Sequence, residues 1–226
     1  MMMGADETPR DWLLQGTTDP GEVADRYDEW AESYDDDLVS WSYQVPGVVA
    51  ETVVTRQPDA RSVLDVGCGT GLCLPLLQHK VGPTGAIVGI DASEQMLELA
   101  AARVAEQGWD NVRLIAAPVA DAPIDVVADA AVFCAVHDVL QCRAALGNVF
   151  DQLRPGAPVA ATGGKQPGPW MWPYRAWVAD LHAPFITDFT GFDKPWRLLA
   201  EFVPDLHVRE LAFGAGYIAL GHAPSR

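Results

Sequence analysis

The sequence predicts an α/β fold in which a doubly wound, mostly parallel sheet binds a ligand at one edge. From residue 60 onward, short β-branched apolar runs alternate with segments of helical periodicity. The first run leads into a loop with three glycines, and the second run ends in Asp91. Because the carboxyl ends of parallel strands meet at the same edge of a sheet, the loop and Asp91 are expected to lie side by side.

The alternation fixes the order of the elements. Strands are predicted at 62–66, 86–90, 112–116, 129–134 and 158–162, and helices at 71–80, 93–107 and 141–153. Two late apolar runs, 206–213 and 216–222, are joined by Gly-Ala-Gly and predict a terminal antiparallel strand pair. Before the alternation, residues 21–56 have helical spacing and predict an N-terminal helical cap, with a second helix beginning at Pro46.

The length of 226 residues suits a single domain with one buried core. We divide it into a loosely held start, a helical cap, a ligand-binding core, a helical insertion and the terminal strand pair. These parts are residues 1–20, 21–56, 60–163, 164–204 and 205–222.

Composition excludes several classes of protein. The chain has no apolar run near the ~20 residues that span a bilayer, and no secretory signal is visible at its start. Its four cysteines have no C-x-x-C spacing, which favours reduced thiols and a cytoplasmic protein. The net charge of −16 disfavours a nucleic-acid partner. A small-molecule substrate is expected, with a monomer and a homodimer equally open.

The glycine loop identifies the kind of ligand. Residues 63–71 read VLDVGCGTG, and Leu72 stands where a dinucleotide fingerprint has its third glycine. Asp65 beside the loop would repel a pyrophosphate but could hold an ammonium group. Asp91, 24 residues after Gly67, suits the two hydroxyls of a ribose. The expected ligand is an adenosine that carries an amine.

The D-x-G-x-G-x-G pattern from Asp65 to Gly71 resembles the first motif of the class I S-adenosylmethionine-dependent methyltransferases. The resemblance implies a Rossmann-like methyltransferase fold, S-adenosylmethionine as cofactor and S-adenosylhomocysteine as product. It also implies which residues bind the methionine end, the ammonium, the ribose and the adenine. They are Gly67, Cys68, Gly69 and Cys134 for the methionine end, Asp65 for the ammonium, Asp91 for the ribose, and Ala92 and Met96 for the adenine.

Three of the cofactor contacts have alternatives. Met96 equally fits the inner face of a helix. Pro118 stands where the family often has an aspartate for the adenine, so the Val119 backbone or Asp121 is expected there instead. Residues 26–35 resemble the Y-D-x-W-A-x-x-Y-D segment of small-molecule methyltransferases, in which Tyr34 either reaches the cofactor or docks its helix.

One histidine and one aromatic segment are the candidates for binding the methyl acceptor and removing its proton. His137 follows the fourth strand and is either a general base or a residue that caps the turn with Asp138. Residues 165–197 are rich in aromatic side chains, which either bind a flat acceptor or form the core of the insertion. The candidates for acceptor binding are Trp170, Trp172, Tyr174 and His182, with Lys165 and Asp188 as further polar groups. No metal site is expected.

These features predict an enzyme that transfers a methyl group from S-adenosylmethionine to an oxygen, nitrogen or carbon of a small aromatic or hydrophobic acceptor. Two alternatives belong to other classes. One is a catalytically silent cofactor-binding partner subunit. The other is a nicotinamide-dependent oxidoreductase, which Leu72 disfavours.

Overall fold

The computed structural model describes residues 20–40, 46–47, 49, 51, 59–182 and 189–225. Its centre is a seven-stranded sheet with the strand order β3-β2-β1-β4-β5-β7-β6. The strands are β1 Ser62–Val66, β2 Ala86–Asp91, β3 Val112–Ala116, β4 Ala130–Cys134, β5 Pro158–Gly164, β6 His207–Leu211 and β7 Gly216–His222. The first five pair in parallel, and β7 pairs antiparallel with both β5 and β6. The predicted doubly wound sheet with a terminal antiparallel pair is confirmed.

Seven of the described helices surround this sheet. They are α1 Pro20–Ser40, α2 Leu74–Val81, α3 Glu94–Gln107, α4 His137–Gln141, α5 Arg143–Asp151, α6 Trp172–His182 and α7 Leu199–Phe202. Short 3₁₀ turns occupy Pro169–Met171 and Ala212–Gly214. Within the described part of the chain, no helix is long and apolar enough to cross a membrane.

Local backbone geometry explains where the elements depart from the predicted bounds. The helix predicted from residue 71 begins at Leu74, because Gly71 has a φ of 81° and cannot be helical. The helix predicted over 141–153 is two helices, α4 and α5, since Cys142 between them is extended. Strand β6 ends two residues early, where Ala212 and Phe213 adopt φ values of 47° and 53°.

The N-terminal cap is described in part. Helix α1 packs against α3, and residues 46, 47, 49 and 51 are helical. Most of the second helix predicted from Pro46, and the start predicted to be loosely held, lie outside the described residues. Asp35 on α1 accepts a hydrogen bond of 2.6 Å from the Thr70 hydroxyl and pairs with Arg103 on α3. Asp28 accepts a hydrogen bond from Ser93, the N-cap residue of α3. Helix α1 is thereby fixed to the edge of the sheet.

The two faces of the sheet bury separate apolar clusters, and β1 contributes to both. Leu64 and Val66 face one cluster, while Val63 packs in the other with the apolar side chains of α2. Because strand side chains alternate between faces, Asp65 shares the face of Val63. A carboxylate is therefore directed into the apolar layer beneath α2, where the parallel strands end.

Candidate functional site

A cleft opens at the carboxyl edge of the sheet, between the ends of β1 and β4. It encloses about 350 Å³ of space between atoms, part of it open to solvent. Helix α1, the loop after β1 and the residues that end β4 form its walls. Its lining residues are Tyr34, Pro46, Asp65, Gly67, Cys68, Gly69, Thr70, Leu72, Cys73, Cys134 and Ala135.

Two glycines of the loop after β1 have different reasons to lack a side chain. Gly67 has a φ of 67°, and a Cβ there would lie 2.2 Å from Cγ1 of Val136. Gly69 has a φ of 52°, and no atom of the described residues lies within 4 Å of the position of its missing Cβ. The amides of Gly67 and Cys68 both donate to the Ile90 carbonyl of β2, at 2.8 and 3.0 Å. The loop is thus fixed to the sheet, with open space beside Gly69 for a ligand.

Asp65 is the unusual charge of the cleft. Its side chain is fully buried, and neither carboxylate oxygen has a hydrogen-bond partner among the described residues. Burial, and to a lesser extent the nearby charge of Asp91, together raise the pKa of Asp65 to about 7. Because a buried polar group without a partner is costly, this carboxylate fits a ligand that brings a cation or a hydrogen-bond donor.

Asp91 lies at the tip of β2, across the loop from Asp65. One carboxylate oxygen accepts from the Gly69 amide at 2.8 Å, and the other accepts from the Ser93 amide at 3.0 Å. Burial raises the pKa of Asp91, while these backbone hydrogen bonds oppose the rise. Each oxygen retains a lone pair, so the carboxylate can accept two further hydrogen bonds from a ligand.

Three aromatic residues of α1 cover this edge. The ring of Tyr34 lies edge-on against Trp30, with 4.5 Å between their centroids, and Tyr27 packs beside both. Burial raises the pKa of the Tyr27 and Tyr34 phenols, and the Asp91 carboxylate raises it further. Both phenols are therefore neutral hydrogen-bond donors near the cleft.

The comparisons with known proteins agree on one family. A family model described as "Methyltransferase domain" matches residues 58–165, which hold the loop and both aspartates. The chain is 33% identical over 173 residues to a demethylmenaquinone methyltransferase of Lactococcus lactis. The aligned region covers 70% of this chain and 66% of that relative. The chain belongs to the class I S-adenosylmethionine-dependent methyltransferases.

Solved methyltransferases share the fold of this one. A SAM-dependent methyltransferase from Aquifex aeolicus superposes with a TM-score of 0.57 at 21% identity, over 77% of this chain and 89% of that chain. An O-methyltransferase family protein from Burkholderia thailandensis superposes with a TM-score of 0.64 at 20% identity, over 87% of this chain and 60% of that chain. At these identities the likeness concerns the fold alone.

The cofactor of this methyltransferase family is S-adenosylmethionine, and the cleft fits it. Its ammonium would satisfy the Asp65 carboxylate, which lacks a partner within the described part of the chain, and the space beside Gly69 would admit its bulk. Not all residues predicted to bind it line the cleft. Those that do are Tyr34, Asp65, Gly67, Cys68, Gly69 and Cys134. Asp91 lies behind Gly69, Ala92 is exposed, and Met96 and Val119 are buried.

The two predicted histidines of the methyltransferase meet at Phe192. The rings of His137 and His182 lie 5.2 and 5.1 Å from the buried Phe192 ring. His137 is buried at the start of α4, while His182 ends α6 and is half-buried. The predicted general base and one predicted acceptor-binding residue therefore share a neighbour.

The other residues of the predicted acceptor segment divide between interior and surface. Trp170 and Trp172 are 82% and 71% exposed. Tyr174 stacks on Trp177 and donates to the Ala212 carbonyl at 3.2 Å. Lys165, expected to orient an acceptor, is buried and forms a 3.1 Å ion pair with Glu210. Asp188 lies outside the described residues.

Sequence reasoning missed several residues of the cleft. Thr70 occupies a position that the glycine motif leaves free, and Cys73 lies two residues beyond the motif, so the pattern alone marks neither residue. Cys73 shares a thiol hydrogen bond with Cys134, which raises its pKa. Ala135 has a φ of 57°, an uncommon conformation for alanine that brings its backbone to the cleft. No sequence pattern announces that conformation. Within the described ranges, no group of His, Cys, Asp and Glu could hold a metal ion.

Proposed function

We propose that this enzyme transfers the methyl group of S-adenosylmethionine to a small aromatic molecule that carries a hydroxyl group. The observation that carries the proposal is the buried Asp65 carboxylate, which has no hydrogen-bond partner among the residues that the structure describes and which lines a glycine-walled cleft. An amino-acid ammonium satisfies it, whereas the phosphates of a nicotinamide dinucleotide would be repelled.

The residues of the cleft have separate tasks in this proposal. Asp65 holds the ammonium, the backbone of Gly67 to Gly69 lies along the methionine chain, and Asp91 accepts from the ribose hydroxyls. Tyr34 covers the cofactor from α1 and excludes water from it. The bound sulfonium supplies the methyl group and its own leaving group, and the electron pair of the broken C–S bond stays on sulfur. The protein therefore has to align the acceptor and remove a proton.

A quinol ring is the acceptor class that we place first. The Lactococcus lactis relative is named for demethylmenaquinone, a bicyclic aromatic quinone. The insertion between β5 and β6 carries aromatic surface and the half-buried His182, which suit a flat ring with polar edges. The reduced ring bears hydroxyl groups whose ionisation makes its neighbouring carbon nucleophilic.

The test has two stages. Calorimetric titration with S-adenosylmethionine, S-adenosylhomocysteine and NAD⁺ is expected to give binding of the first two only. Transfer of radiolabelled methyl to a short-chain demethylmenaquinol, with phenol, amine and fatty-acid acceptors alongside, is then expected to label the quinol. Cofactor binding without transfer to any acceptor would favour the silent partner subunit. Binding of NAD⁺ alone would overturn the proposal.

Asp91→Ala tests the ribose contact. Because the change removes a charged acceptor of two hydroxyls, we expect S-adenosylhomocysteine to bind about 1–3 kcal/mol more weakly, roughly 5- to 150-fold in Kd. Asp110→Ala, at an exposed turn after α3, is the matched control and should leave Kd unchanged. Equal affinities of the two variants would mean that the ribose is held elsewhere.

A further inference from the structure

His182 has a fixed tautomer. Its Nδ1 lies 2.8 Å from the Val178 carbonyl oxygen, one helical turn earlier on α6. A carbonyl only accepts, so Nδ1 carries the ring proton and Nε2 carries the lone pair. Burial lowers the pKa of His182, and the charge of His137 lowers it further. The ring is therefore neutral near pH 7, with its basic nitrogen free of any partner among the described residues.

A second unused acceptor lies in the same insertion. Gln166 follows β5 and is 8% exposed, and its side-chain nitrogen donates to the Arg175 carbonyl of α6 at 2.8 Å. That hydrogen bond assigns the amide orientation, so the other side-chain atom, Oε1, is an acceptor. It is buried and has no partner among the described residues. The backbone amide of Gln166 also donates to the Phe192 carbonyl at 2.7 Å, and the Phe192 ring packs on His182.

Both acceptors lie beside the carboxyl end of β5, next to the cofactor cleft. A Cβ placed on Gly164 would come within 2.1 Å of His182 Nε2, so this nitrogen lies directly over the strand end. The preceding Gly163 lies against the backbone of Ala135, at 3.4 Å from the position of its missing Cβ. Ala135 itself lines the cleft. The strand end thus connects the two acceptors to the wall of the cleft.

We propose that His182 Nε2 and Gln166 Oε1 form the site that binds the hydroxyl of the methyl acceptor, and that His182 is the general base. This inference rests on the proposed function and deepens it. In the reaction, the O–H bond breaks and its proton moves to Nε2, while the ring carbon beside the hydroxyl forms the bond to the methyl group. That carbon then loses its hydrogen as a proton to solvent. The ring oxygen regains a proton from His182, and the quinol is restored in methylated form with one proton released.

The surroundings of His182 leave this role to it. Among the described residues, His137, across Phe192, is the titratable group whose charge acts on it. Lys165, next to Gly164, is directed to Glu210 and to the Gly214 carbonyl. Asp180 of α6 is on the exposed face of that helix. His137 is the more buried of the two histidines, and its ring stands edge-on to Phe192, so we assign it the task of positioning Phe192.

The kinetic test compares His182→Gln with His207→Gln. His207 is exposed on β6, so its replacement by glutamine makes the same chemical change outside the site. With a short-chain demethylmenaquinol as acceptor, we expect His182→Gln to lower the single-turnover rate about 100-fold, in line with loss of a general base. The wild-type rate should fall as the pH drops below the lowered pKa of His182. This acidic limb of the pH–rate profile should be missing in the variant. The Kd of S-adenosylhomocysteine should stay within twofold. A normal rate with the normal limb would overturn the inference.

A spectroscopic test does not need turnover. In protein with ¹⁵N-labelled histidine at pH 7.5, His182 should show a protonated Nδ1 and an unprotonated Nε2. Adding 1-naphthol with S-adenosylhomocysteine should shift the Nε2 resonance, and Gln166→Met should weaken that binding without changing the tautomer. A protonated Nε2, or no shift at saturating naphthol, would contradict the inference. Either result can be obtained even if no acceptor is methylated, so it is distinct from failure of the proposed function.

Discussion

The carboxylate of Asp65 links the stability of the protein to the binding of its cofactor. The alternation of β1 directs it into an apolar layer, where it has no partner among the described residues. A buried charge of this kind lowers the stability of the protein by itself and becomes favourable when an ammonium binds. Asp65 therefore lowers the stability of the free enzyme and raises its affinity for the ammonium end of the cofactor.

Asp65→Asn gives a prediction with a definite pH sign. The folded pKa of about 7 lies above the ordinary aspartate pKa of 3.8, so the folded chain binds the extra proton between these pH values. The stability of the free enzyme should accordingly fall as the pH rises through that window. The asparagine variant should lack this fall and melt higher than wild type at pH 8. It should also bind S-adenosylhomocysteine more weakly.

Thermal melts from pH 4.5 to 8.5, with and without S-adenosylhomocysteine, check this. Asp59→Asn, at an exposed position before β1, should follow the wild-type curve. An Asp65→Asn protein with the wild-type pH profile would show that the carboxylate is not desolvated as described.

At the residue scale, a motif predicts contacts only where spacing fixes the backbone. Asp65, Gly67 and Gly69 could be placed at the cleft because the loop between a strand and a helix has one common shape. Ala135 could not, since its positive φ depends on tertiary contacts such as its 2.8 Å hydrogen bond to the Thr162 carbonyl. The ion pair of Lys165 could not be predicted either, because its partner, Glu210, is distant in sequence.

Helix α1 is the element that closes the site, and Asp35 is its main attachment. The residue accepts from Thr70 in the glycine loop and pairs with Arg103 of α3. Asp35→Asn weakens both contacts at once. We expect it to raise the Kd of S-adenosylhomocysteine several-fold, about 0.5–1.5 kcal/mol, and to increase proteolytic cleavage within α1.

Asp36→Asn is the control for this change, because the neighbouring carboxylate is exposed on the same helix. If both variants are cleaved and bind ligand alike, α1 is not held to the loop by Asp35.

Strands were easier to predict than helices at this scale. The bounds of β1, β3 and β7 follow directly from apolar runs that end at turns. The helix predicted over 141–153 was wrong at its start because the extended Cys142 has no turn residue to reveal it. The insertion follows no repeating pattern, and its aromatic residues lie both inside and on the surface, as the buried Phe192 and exposed Trp170 show.

For the molecule as a whole, charge is the feature that sequence gives most directly. The net charge is −16, and residues 1–40 carry twelve acids against two bases. Because such an excess repels itself in the compact state and salt screens it, the melting temperature should rise between 0.05 and 0.5 M KCl. A melting temperature that stays level or falls would mean that specific ion pairs outweigh the repulsion.

The fold of the whole chain could be predicted because the alternation of strands and helices admits few topologies. The acceptor could not, because it is bound by an insertion whose contacts are long-range, such as that of Gln166 with Phe192.

The central claim is that an amine-bearing adenosine lies across the tips of β1 and β2, between Asp65 and Asp91. A crystal structure with S-adenosylhomocysteine tests it most directly. The account predicts the ammonium within hydrogen-bond distance of Asp65, directly or through one water, and the ribose hydroxyls on Asp91. A ligand bound away from the glycine loop, or an Asp65 carboxylate still without a partner in the complex, would contradict it.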